Sequence, residues 1–436
     1  MFKHKIGYAC IPLRVNYKTT RKLFVNNFSR ERILKIIDQN LNDLLQILNY
    51  NIKSNIFLFR ISSDIIPFGS LFLSENKIKE IKKSNDLFEK IEFENEFKNK
   101  LLNIGSFIKN NNIRVSMHPG QYTVINSNKN DVVENAINDL IYHNNFLNSL
   151  NVDSSHKIII HIGGQYDNKK ESINRFIKNY KIIDNSIKNR LVIENDERIY
   201  NFNDIYYIYE YTGAPIVFDY FHNLINPSKL KIDKIIEKYT KTWKEKDGKP
   251  KLHYSDSALF KKKGAHSEFV NSENFLIFYE IIKDYDIDIM LETKDKDISA
   301  YKVLNILYFN ENIGSLYEEW KNYKYLVMLA SYSLYKDISK SIKQGIDFKG
   351  FYSKIDKILV NRKFENVKST IEHMVGYFRR INSYEKIKKE LLNLNLDSFT
   401  NRSLKMILNK IYNLSLKYEV QYLENQYLFK YIDLLY

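Results

Sequence analysis

The sequence predicts an α/β fold, in which eight parallel strands and their helices close into a barrel, followed by an all-helical extension. Short apolar, β-branched runs alternate with longer segments of helical period, which is the pattern of repeated βα units. Eight such runs occur in the first 300 residues, the number that closes a TIM (β/α)8 barrel. After about residue 313 the pattern becomes almost wholly helical. These observations predict a barrel domain over residues 1–313 and a helical C-terminal extension over residues 314–436.

The elements follow one another in strict alternation along the first part of the chain. The predicted strands are residues 5–10, 56–61, 114–118, 157–161, 191–194, 216–219, 251–254 and 288–292. The predicted helices between them are residues 30–49, 94–108, 132–150, 172–187, 204–211, 229–239, 274–283 and 298–307. In the first helix, Ile33, Ile37, Leu41 and Leu44 recur at three- and four-residue intervals, which is the spacing of one helix face. For the extension we expect five or six helices of unknown function.

Composition excludes several classes of protein. Hydrophobic residues make up 44% of the chain and charged residues 27%, which is ordinary for a globular protein with a large core. No apolar run approaches the ~20 residues of a membrane span, so we expect no membrane partner. The N-terminus leads almost directly into a strand, which leaves no room for a signal peptide. The single cysteine, Cys10, excludes internal disulfides and favours a cytoplasmic location.

The chain is basic, with a formal net charge of +15. A basic surface favours a polyanionic partner, because neutralising phosphates releases condensed counterions. The chain is also rich in Lys, Asn, Ile and Tyr, as an AT-rich coding sequence produces. The charge by itself therefore leaves both explanations open.

Metal-capable side chains stand where the predicted strands end. All such ends meet on the C-terminal rim of a parallel barrel, where active sites of this fold are built. Five imidazoles and three carboxylates would meet there: His118, His161, Glu194, Asp219, His222, His253, His266 and Glu292. Any one of these histidines could be an ordinary core residue, but eight such side chains at strand ends are better explained by cations. We assign no chemistry to the remaining histidines, His4, His143, His156 and His373.

This ligand set predicts the metal and the reaction. Mixed His, Asp and Glu ligation without thiolate suits Mn²⁺ or Zn²⁺, with Co²⁺ or Mg²⁺ as further options, and two or three ions rather than one. Several divalent ions in one pocket suit phosphoryl transfer. A phosphodiester substrate also fits the positive charge, so both lines of evidence point to nucleic acid.

At these residues the sequence resembles the UV damage endonuclease family, light-independent repair enzymes that nick DNA beside a photoproduct. The resemblance runs from Gly7 to about Asp295. Its motifs are Gly7-Tyr8-Ala9-Cys10, Phe59-Arg60-Ile61-Ser62-Ser63-Asp64, His118-Pro119-Gly120-Gln121-Tyr122, His161-Ile162-Gly163-Gly164, Glu194-Asn195-Asp196, Asp219-Tyr220-Phe221-His222, Lys251-Leu252-His253-Tyr254-Ser255, Gly264-Ala265-His266-Ser267 and Glu292-Thr293-Lys294-Asp295-Lys296.

The resemblance implies an activity and a substrate. A member of this family hydrolyses the phosphodiester immediately 5′ to a cyclobutane dimer or 6-4 photoproduct, and leaves 3′-hydroxyl and 5′-phosphate ends. It implies up to three Mn²⁺-type ions, held by the eight residues named above, and double-stranded DNA containing lesions as the partner. We expect the chain to act as a monomer.

The resemblance also assigns roles within the site. Glu194 would bridge the ion of His118 and His161 to the ion of Asp219, His253 and Glu292, and would be catalytic. His222 and His266 would hold a third ion. For contact with the lesion it implies Tyr8, Gln121 and Tyr122, of which Gln121 and Tyr122 would probe the duplex where the damaged bases are flipped out. Arg60 would project from the rim and bind the DNA backbone, and the alternative is an ordinary solvated charge.

Lys251 is a further catalytic candidate. It lies two residues before His253 on the same strand, so both side chains face the barrel interior. A lysine beside divalent cations would lose its proton or be modified, because a buried cation beside cations is unfavourable. The resemblance implies a carboxylated lysine, and the alternative is a lysine at the barrel floor that pairs with a carboxylate.

Two other functions stay open. An abasic-site endonuclease of the endonuclease IV type shares the barrel and the trinuclear site. A sugar isomerase or epimerase uses the same barrel with one or two ions and a small closed pocket. In the extension, residues 320–328 carry no function by themselves, and the extension could enlarge the DNA-binding surface or recruit a partner.

Overall fold

The computed structural model describes residues 2–166, 168–392 and 401–435. Within these residues eight strands form a closed barrel in sequence order, and each strand is parallel to both neighbours, including the last to the first. The strands are β1 (Ile6–Ala9), β2 (Leu58–Ile61), β3 (Arg114–Met117), β4 (Ile158–His161), β5 (Leu191–Glu194), β6 (Ile216–Asp219), β7 (Lys251–Tyr254) and β8 (Asp288–Leu291). The predicted TIM barrel is confirmed, and no strand bound differs from its prediction by more than two residues.

Helices connect the strands and continue to α12 after β8. They are α1 (Arg30–Lys53), α2 (Glu75–Lys82), α3 (Phe93–Glu96), α4 (Lys98–Asn110), α5 (Asn130–Ser149), α6 (Lys169–Ile182), α7 (Asn185–Lys188), α8 (Phe202–Thr212), α9 (Tyr220–Ile225), α10 (Ile232–Thr240), α11 (Ser272–Ile282) and α12 (Asp297–Tyr308). The predicted helices 94–108 and 172–187 are each divided in two, and α2 and α9 were not predicted.

Local sequence explains where these helices begin and end. Ser29 caps α1 by accepting a hydrogen bond from the Arg32 amide, and the apolar face of α1 is buried. Asn201 caps α8 and Asp204 reaches back to the Asn201 amide, which forms a capping box. Gly213 ends α8 in the left-handed region at φ 68°, where a residue without a Cβ is favoured.

The chain forms two compact units. The first comprises Met1–His266 and Phe278–Tyr301, and the second comprises Ser267–Ile277 and Lys302–Tyr436. The sequence predicted a single boundary at residue 313, whereas the compact units divide at Tyr301 and place residues 267–277 with the second. Where the chain divides into separately folding domains stays a prediction.

The second unit is helical, as predicted for the extension. After α12 the described residues contain α13 (Ile313–Ala330), α14 (Tyr332–Lys343), α15 (Phe348–Asn361), α16 (Val367–Val375), α17 (Tyr384–Leu392), α18 (Asn401–Lys417), α19 (Gln421–Glu424) and α20 (Leu428–Leu435). These are more and shorter helices than the five or six expected. No helix in the described parts of the chain is both long and apolar enough to cross a bilayer.

Candidate metal centre

The eight predicted ligands lie at or just beyond the C-terminal ends of β3 to β8. Strand register alone brings four of them into pairs, because His161 lies beside Glu194 across β4 and β5. Asp219 lies beside His253 across β6 and β7 in the same way. Register partners on neighbouring parallel strands direct their side chains to the same face of the sheet, so the two members of each pair lie close together.

Two groups of side chains converge on Glu194. In the first, the Glu194 Oε2 atom is 3.1 Å from His118 Nε2 and 3.6 Å from His161 Nε2. In the second, Glu194 Oε1 is 2.7 Å from His253 Nδ1, which is also 3.3 Å from Glu292 Oε1. Donor atoms of His118, His161 and Glu194 lie within 4.8 Å of one another, and so do those of Glu194, Asp219, His253 and Glu292. Glu194 is therefore shared by two clusters, each of a size that could hold a metal ion.

His222 and His266 lie beside these clusters rather than within them. Their ring centroids are 5.5 Å apart. His222 Nδ1 is 3.6 Å from Asp219 Oδ2, and His266 Nε2 is 3.7 Å from Glu292 Oε2. Among the described residues these two histidines complete no third cluster as compact as the other two. Their predicted role at a third ion stays a prediction.

The electrostatics of the clusters fit cations. Burial, opposed in part by His222, raises the pKa of Asp219 to about 7. Burial would also raise the pKa of Glu194, but the imidazoles of His253 and His161 hold it well below its usual range. Asp219 Oδ2 and His253 Nε2 are buried without a hydrogen-bond partner among the described residues. Such orphaned atoms are costly unless something pairs with them, and a divalent cation would pair with both.

Arg60 occupies a place that the sequence did not indicate. We predicted that it contacts DNA, but in this structure its guanidinium forms an ion pair with Glu292, with both side chains mostly buried. Against the effect of burial, this guanidinium holds the pKa of Glu292 far below its usual range. Arg60 thus orients a candidate ligand and keeps it ionised, and its contact with DNA stays a prediction.

Lys251 lies deeper in the barrel than His253. Its side chain is completely buried, and its Nζ atom has no hydrogen-bond partner within the described residues. Burial and the positive charge of Arg114 hold the pKa of Lys251 well below its usual value. The carboxylate at the same height, Asp288, pairs instead with Arg114 at 2.9 Å. The alternative, a lysine paired with a carboxylate, is therefore not seen among these residues.

Several neighbouring side chains position the candidate ligands, and the sequence analysis assigned them no role. The side-chain amide of Asn195 exchanges hydrogen bonds with the backbone of Asp219, and the backbone carbonyl oxygen of Asn195 lies 2.9 Å from His222 Nδ1. Ser63 donates to the carbonyl oxygen of His118, and His143 lies 2.9 Å from the Ser63 hydroxyl. Because Asn195 follows Glu194 directly in the sequence, its position beside the candidate ligands could have been predicted. The approach of His143 depends on how α5 packs, and nothing in the local sequence indicated it.

A cavity of about 530 Å³ opens above the clusters. His118, His161, His222, His266 and Glu292 line it, and so does Gln121 from the loop after β3. Tyr122 is 82% exposed at the same loop. Gly163, at φ 111°, brings its backbone against Asn126, where a Cβ would lie 2.4 Å from the Asn126 Oδ1 atom. The cavity is open to solvent, the exposed Gln121 lines it, and the exposed Tyr122 follows Gln121 in the chain.

Tyr8 differs from its predicted place in a lesion pocket. Its side chain is fully buried, and its hydroxyl donates a 2.8 Å hydrogen bond to the Asn51 side chain on α1. Alternation along β1 directs Tyr8 to the helix side of the barrel wall, whereas the cavity lies at the end of the barrel. In this structure Tyr8 therefore contacts the core, and its contact with a lesion stays a prediction.

The fold and the clusters define a class of protein: a TIM barrel with a His- and carboxylate-rich centre, shared by two candidate cation sites, at its C-terminal end. Comparison with known families then identifies the family. Residues 5–323 match the family model described as UV-endonuclease UvdE, and this chain belongs to that family. Residues 324–432 match a second model, described as a protein of unknown function, DUF1722.

Individual relatives agree with this assignment. A protein from Clostridium perfringens named UV DNA damage endonuclease is 43% identical over 89% of this chain and 95% of its own length. One from Bacillus cereus with the same name is 31% identical over 69% of this chain and 90% of its own length. The crystal structure of SacUVDE superimposes with a TM-score of 0.63 at 36% identity, covering 70% of this chain and 99% of the other. The predicted resemblance to the UV damage endonuclease family is confirmed, and with it the prediction that this chain is an endonuclease.

Proposed function

We propose that this chain is a metal-dependent DNA repair endonuclease that hydrolyses the phosphodiester immediately 5′ to UV photoproducts and leaves 3′-hydroxyl and 5′-phosphate ends. The observation that carries the proposal is the shared position of Glu194. One carboxylate oxygen faces His118 and His161, and the other faces His253. The chain that carries this arrangement belongs to a family of UV endonucleases. A carboxylate shared in this way is suited to hold two cations close together.

Different residues would have different roles at the metal centre. Bound there, two or three divalent ions, Mn²⁺ by preference, would activate water and neutralise the charge of the phosphate. The oxygen ligands would come from Glu194, Asp219 and Glu292, and the nitrogen ligands from His118, His161 and His253. A third ion would be held by His222 and His266. Arg60 keeps Glu292 ionised for this purpose. Asn195 fixes the Asp219 backbone and lies against His222, so neither has to reorganise when substrate binds.

Substrate would enter from the open end of the cavity. Its volume of about 530 Å³ is in the range of pockets that enclose a ligand of nucleotide size. The exposed Tyr122 offers an aromatic face for stacking, and Gln121 offers an amide for hydrogen bonds to unpaired bases. The net charge of +15 favours association with the DNA backbone.

Lys251 remains a second catalytic candidate. A neutral amine adds carbon dioxide through its nitrogen lone pair and releases a proton, which produces a carbamate. The Nζ atom is completely buried, and burial and Arg114 hold its pKa well below its usual value, which supports this chemistry. Carbon-13 NMR of protein equilibrated with ¹³C-bicarbonate tests it: a carbamate resonance that is absent from Lys251→Met supports the proposal, and identical spectra contradict it.

The deciding experiment is incision of a duplex with one defined photoproduct, end-labelled on both strands, with and without Mn²⁺. The expected result is a single nick immediately 5′ to the lesion, lost in chelator and restored by Mn²⁺. A matched duplex with an abasic site tests the endonuclease IV type of activity, which preferential cutting of that duplex would favour. Affinity for duplex DNA that falls steeply with salt would exclude a sugar isomerase or epimerase. A cytoplasmic location and a monomeric state accompany the proposal.

A further inference from the structure

Two stacked pairs of tyrosine rings, linked by a buried tyrosine and by a lysine near the rings, lie in the second unit. We call this arrangement the aromatic strip. Its rings come from α13, α14, α19 and the turn after α16, and its members are Lys324, Tyr325, Tyr332, Tyr335, Lys336, Tyr377 and Tyr422. All of these residues belong to the unit that contains Lys302–Tyr436.

The rings form two stacked pairs at the ends of the strip. Tyr332 and Tyr335 have ring centroids 5.7 Å apart at an interplanar angle of 19°. Tyr377 and Tyr422 have centroids 5.4 Å apart at 12°. A pair of parallel rings can receive a further flat ring where one of its rings is exposed, and Tyr332 and Tyr377 are the more exposed rings of the two pairs.

Tyr325 and Lys324 join the two pairs. The Tyr325 ring lies 6.4 Å from Tyr377 and 6.2 Å from Tyr422, edge to face in both cases. The Lys324 Nζ atom lies 5.9 Å from the ring centroids of both Tyr325 and Tyr335. Tyr325 is almost completely buried, so the two pairs are linked beneath the surface, and their exposed parts are separate ring pairs.

Two rings of the strip are partly exposed to solvent, and lysines lie beside them. Tyr332 is 49% exposed and Tyr377 is 41% exposed. The Lys336 Nζ atom lies 4.7 Å from the centroid of Tyr332. Buried Trp320 stacks behind Tyr335 at 5.7 Å and supports it from the core. Over residues 302–436, Lys and Arg outnumber Asp and Glu by 22 to 14, so the strip belongs to a basic part of the chain.

A cavity of about 430 Å³ lies at the Tyr377 end of the strip. Arg379 and His373 line it, together with Glu372, Ser369 and Gly376. Arginine binds phosphate with paired hydrogen bonds, whereas a carboxylate such as Glu372 accepts from an exocyclic amino group. The cavity thus combines an aromatic wall, a phosphate-binding cation and a hydrogen-bond acceptor.

We infer that the aromatic strip binds a single-stranded segment of nucleic acid, with bases stacked on its tyrosines, phosphates near Lys324 and Lys336, and one base at the Tyr377 cavity. Stacked aromatics interleaved with cations bind single strands without reading sequence, because every base has a π-face. A duplex keeps those faces covered, so duplex DNA fits the strip poorly. This activity is distinct from the nicking proposed for the barrel.

Binding of unirradiated oligothymidylate to the full-length protein in chelator tests the inference without nicking. Fluorescence anisotropy is expected to report binding that Tyr335→Ala and Tyr377→Ala each weaken roughly tenfold or more. Tyr335→Phe keeps the ring and is expected to bind as the unaltered protein does. Lys324→Ala and Lys336→Ala are each expected to reduce the slope of log affinity against log salt by about 0.7.

Matched controls separate this surface from the barrel. Tyr317 is 42% exposed in the same unit but belongs to no ring pair of the strip, so Tyr317→Ala is expected to bind normally. The strip variants are expected to nick a saturating photoproduct duplex at the unaltered rate. Should Tyr335→Ala unfold, the more exposed Tyr332→Ala serves in its place. The inference is overturned if the unaltered protein does not bind the oligonucleotide, if the strip variants bind as tightly as it does, or if Tyr317→Ala weakens binding equally.

Discussion

The Glu194 carboxylate and the His253 imidazole lie 2.7 Å apart, Oε1 to Nδ1, in the fully buried centre of the barrel. The second oxygen of the same carboxylate faces His118 at 3.1 Å. One side chain on β5 thereby contacts candidate ligands from β3 and β7, each of which is separated from β5 by one strand. Whatever cations this centre holds, their spacing depends on Glu194.

Replacement of Glu194 by Gln should abolish nicking. The amide keeps the shape of the side chain but removes the negative charge that both clusters share, so divalent-ion affinity should fall by more than the ~10–100-fold typical of losing an outer partner. Nicking of UV-irradiated plasmid in Mn²⁺ and calorimetric titration with Mn²⁺ measure the two effects. Circular dichroism should show an intact barrel. Full activity in this variant would exclude the bridging role.

Replacement of Arg60 by Met should destabilise the protein when metal is absent. It leaves Glu292 buried without its partner, and breaking a buried ion pair costs about 3 kcal/mol or more. Denaturant unfolding in chelator measures the change. Arg30→Met is the matched control, because the pair of Arg30 with Glu89 lies on the surface and should contribute nothing measurable. Equal stability of the two variants would contradict the proposed role of Arg60.

His156 should make the protein sensitive to acid. Burial lowers its pKa from 6.5 to about 3, and its Nδ1 atom accepts a hydrogen bond from the Val115 amide. The folded-state pKa is below the unfolded one, so between about pH 6.5 and 3 the unfolded chain binds more protons. The free energy of unfolding therefore falls as pH decreases through this window.

His156→Gln tests this sign, because glutamine can accept the same hydrogen bond but does not titrate. Thermal unfolding between pH 7 and pH 4 should show a smaller loss of stability in the variant than in the unaltered protein. Parallel curves for the two proteins would show that His156 is not the group responsible.

Tyr122 should act in lesion recognition and not in folding or metal binding. It is 82% exposed, so Tyr122→Ala should leave the melting temperature and Mn²⁺ affinity unchanged. Loss of one stacked ring should weaken binding of a photoproduct duplex by about 1–3 kcal/mol, and Tyr122→Phe should restore it. Gel-shift titration in chelator measures both. An alanine variant with unaltered affinity for the lesion would remove Tyr122 from recognition.

The sequence alone was enough to predict the barrel. A parallel strand that is buried on both faces is a short apolar run, and each of the eight runs was visible in the sequence. The candidate ligands could be found for the same reason: a parallel barrel brings every strand end to one rim, so position in the chain predicts proximity. In the structure, the convergence of strand ends brings His161 beside Glu194 and Asp219 beside His253.

Only the tertiary structure shows which side chains contact one another across the barrel and within the second unit. Arg60 could have projected to solvent, but the closed barrel brings it to Glu292. Tyr8 lies on the strand face that packs against α1. The aromatic strip joins Tyr335 to Tyr377 and Tyr422 through contacts between residues far apart in the chain. Such contacts depend on how helices pack, and local periodicity carries no information about which helix a given face will meet.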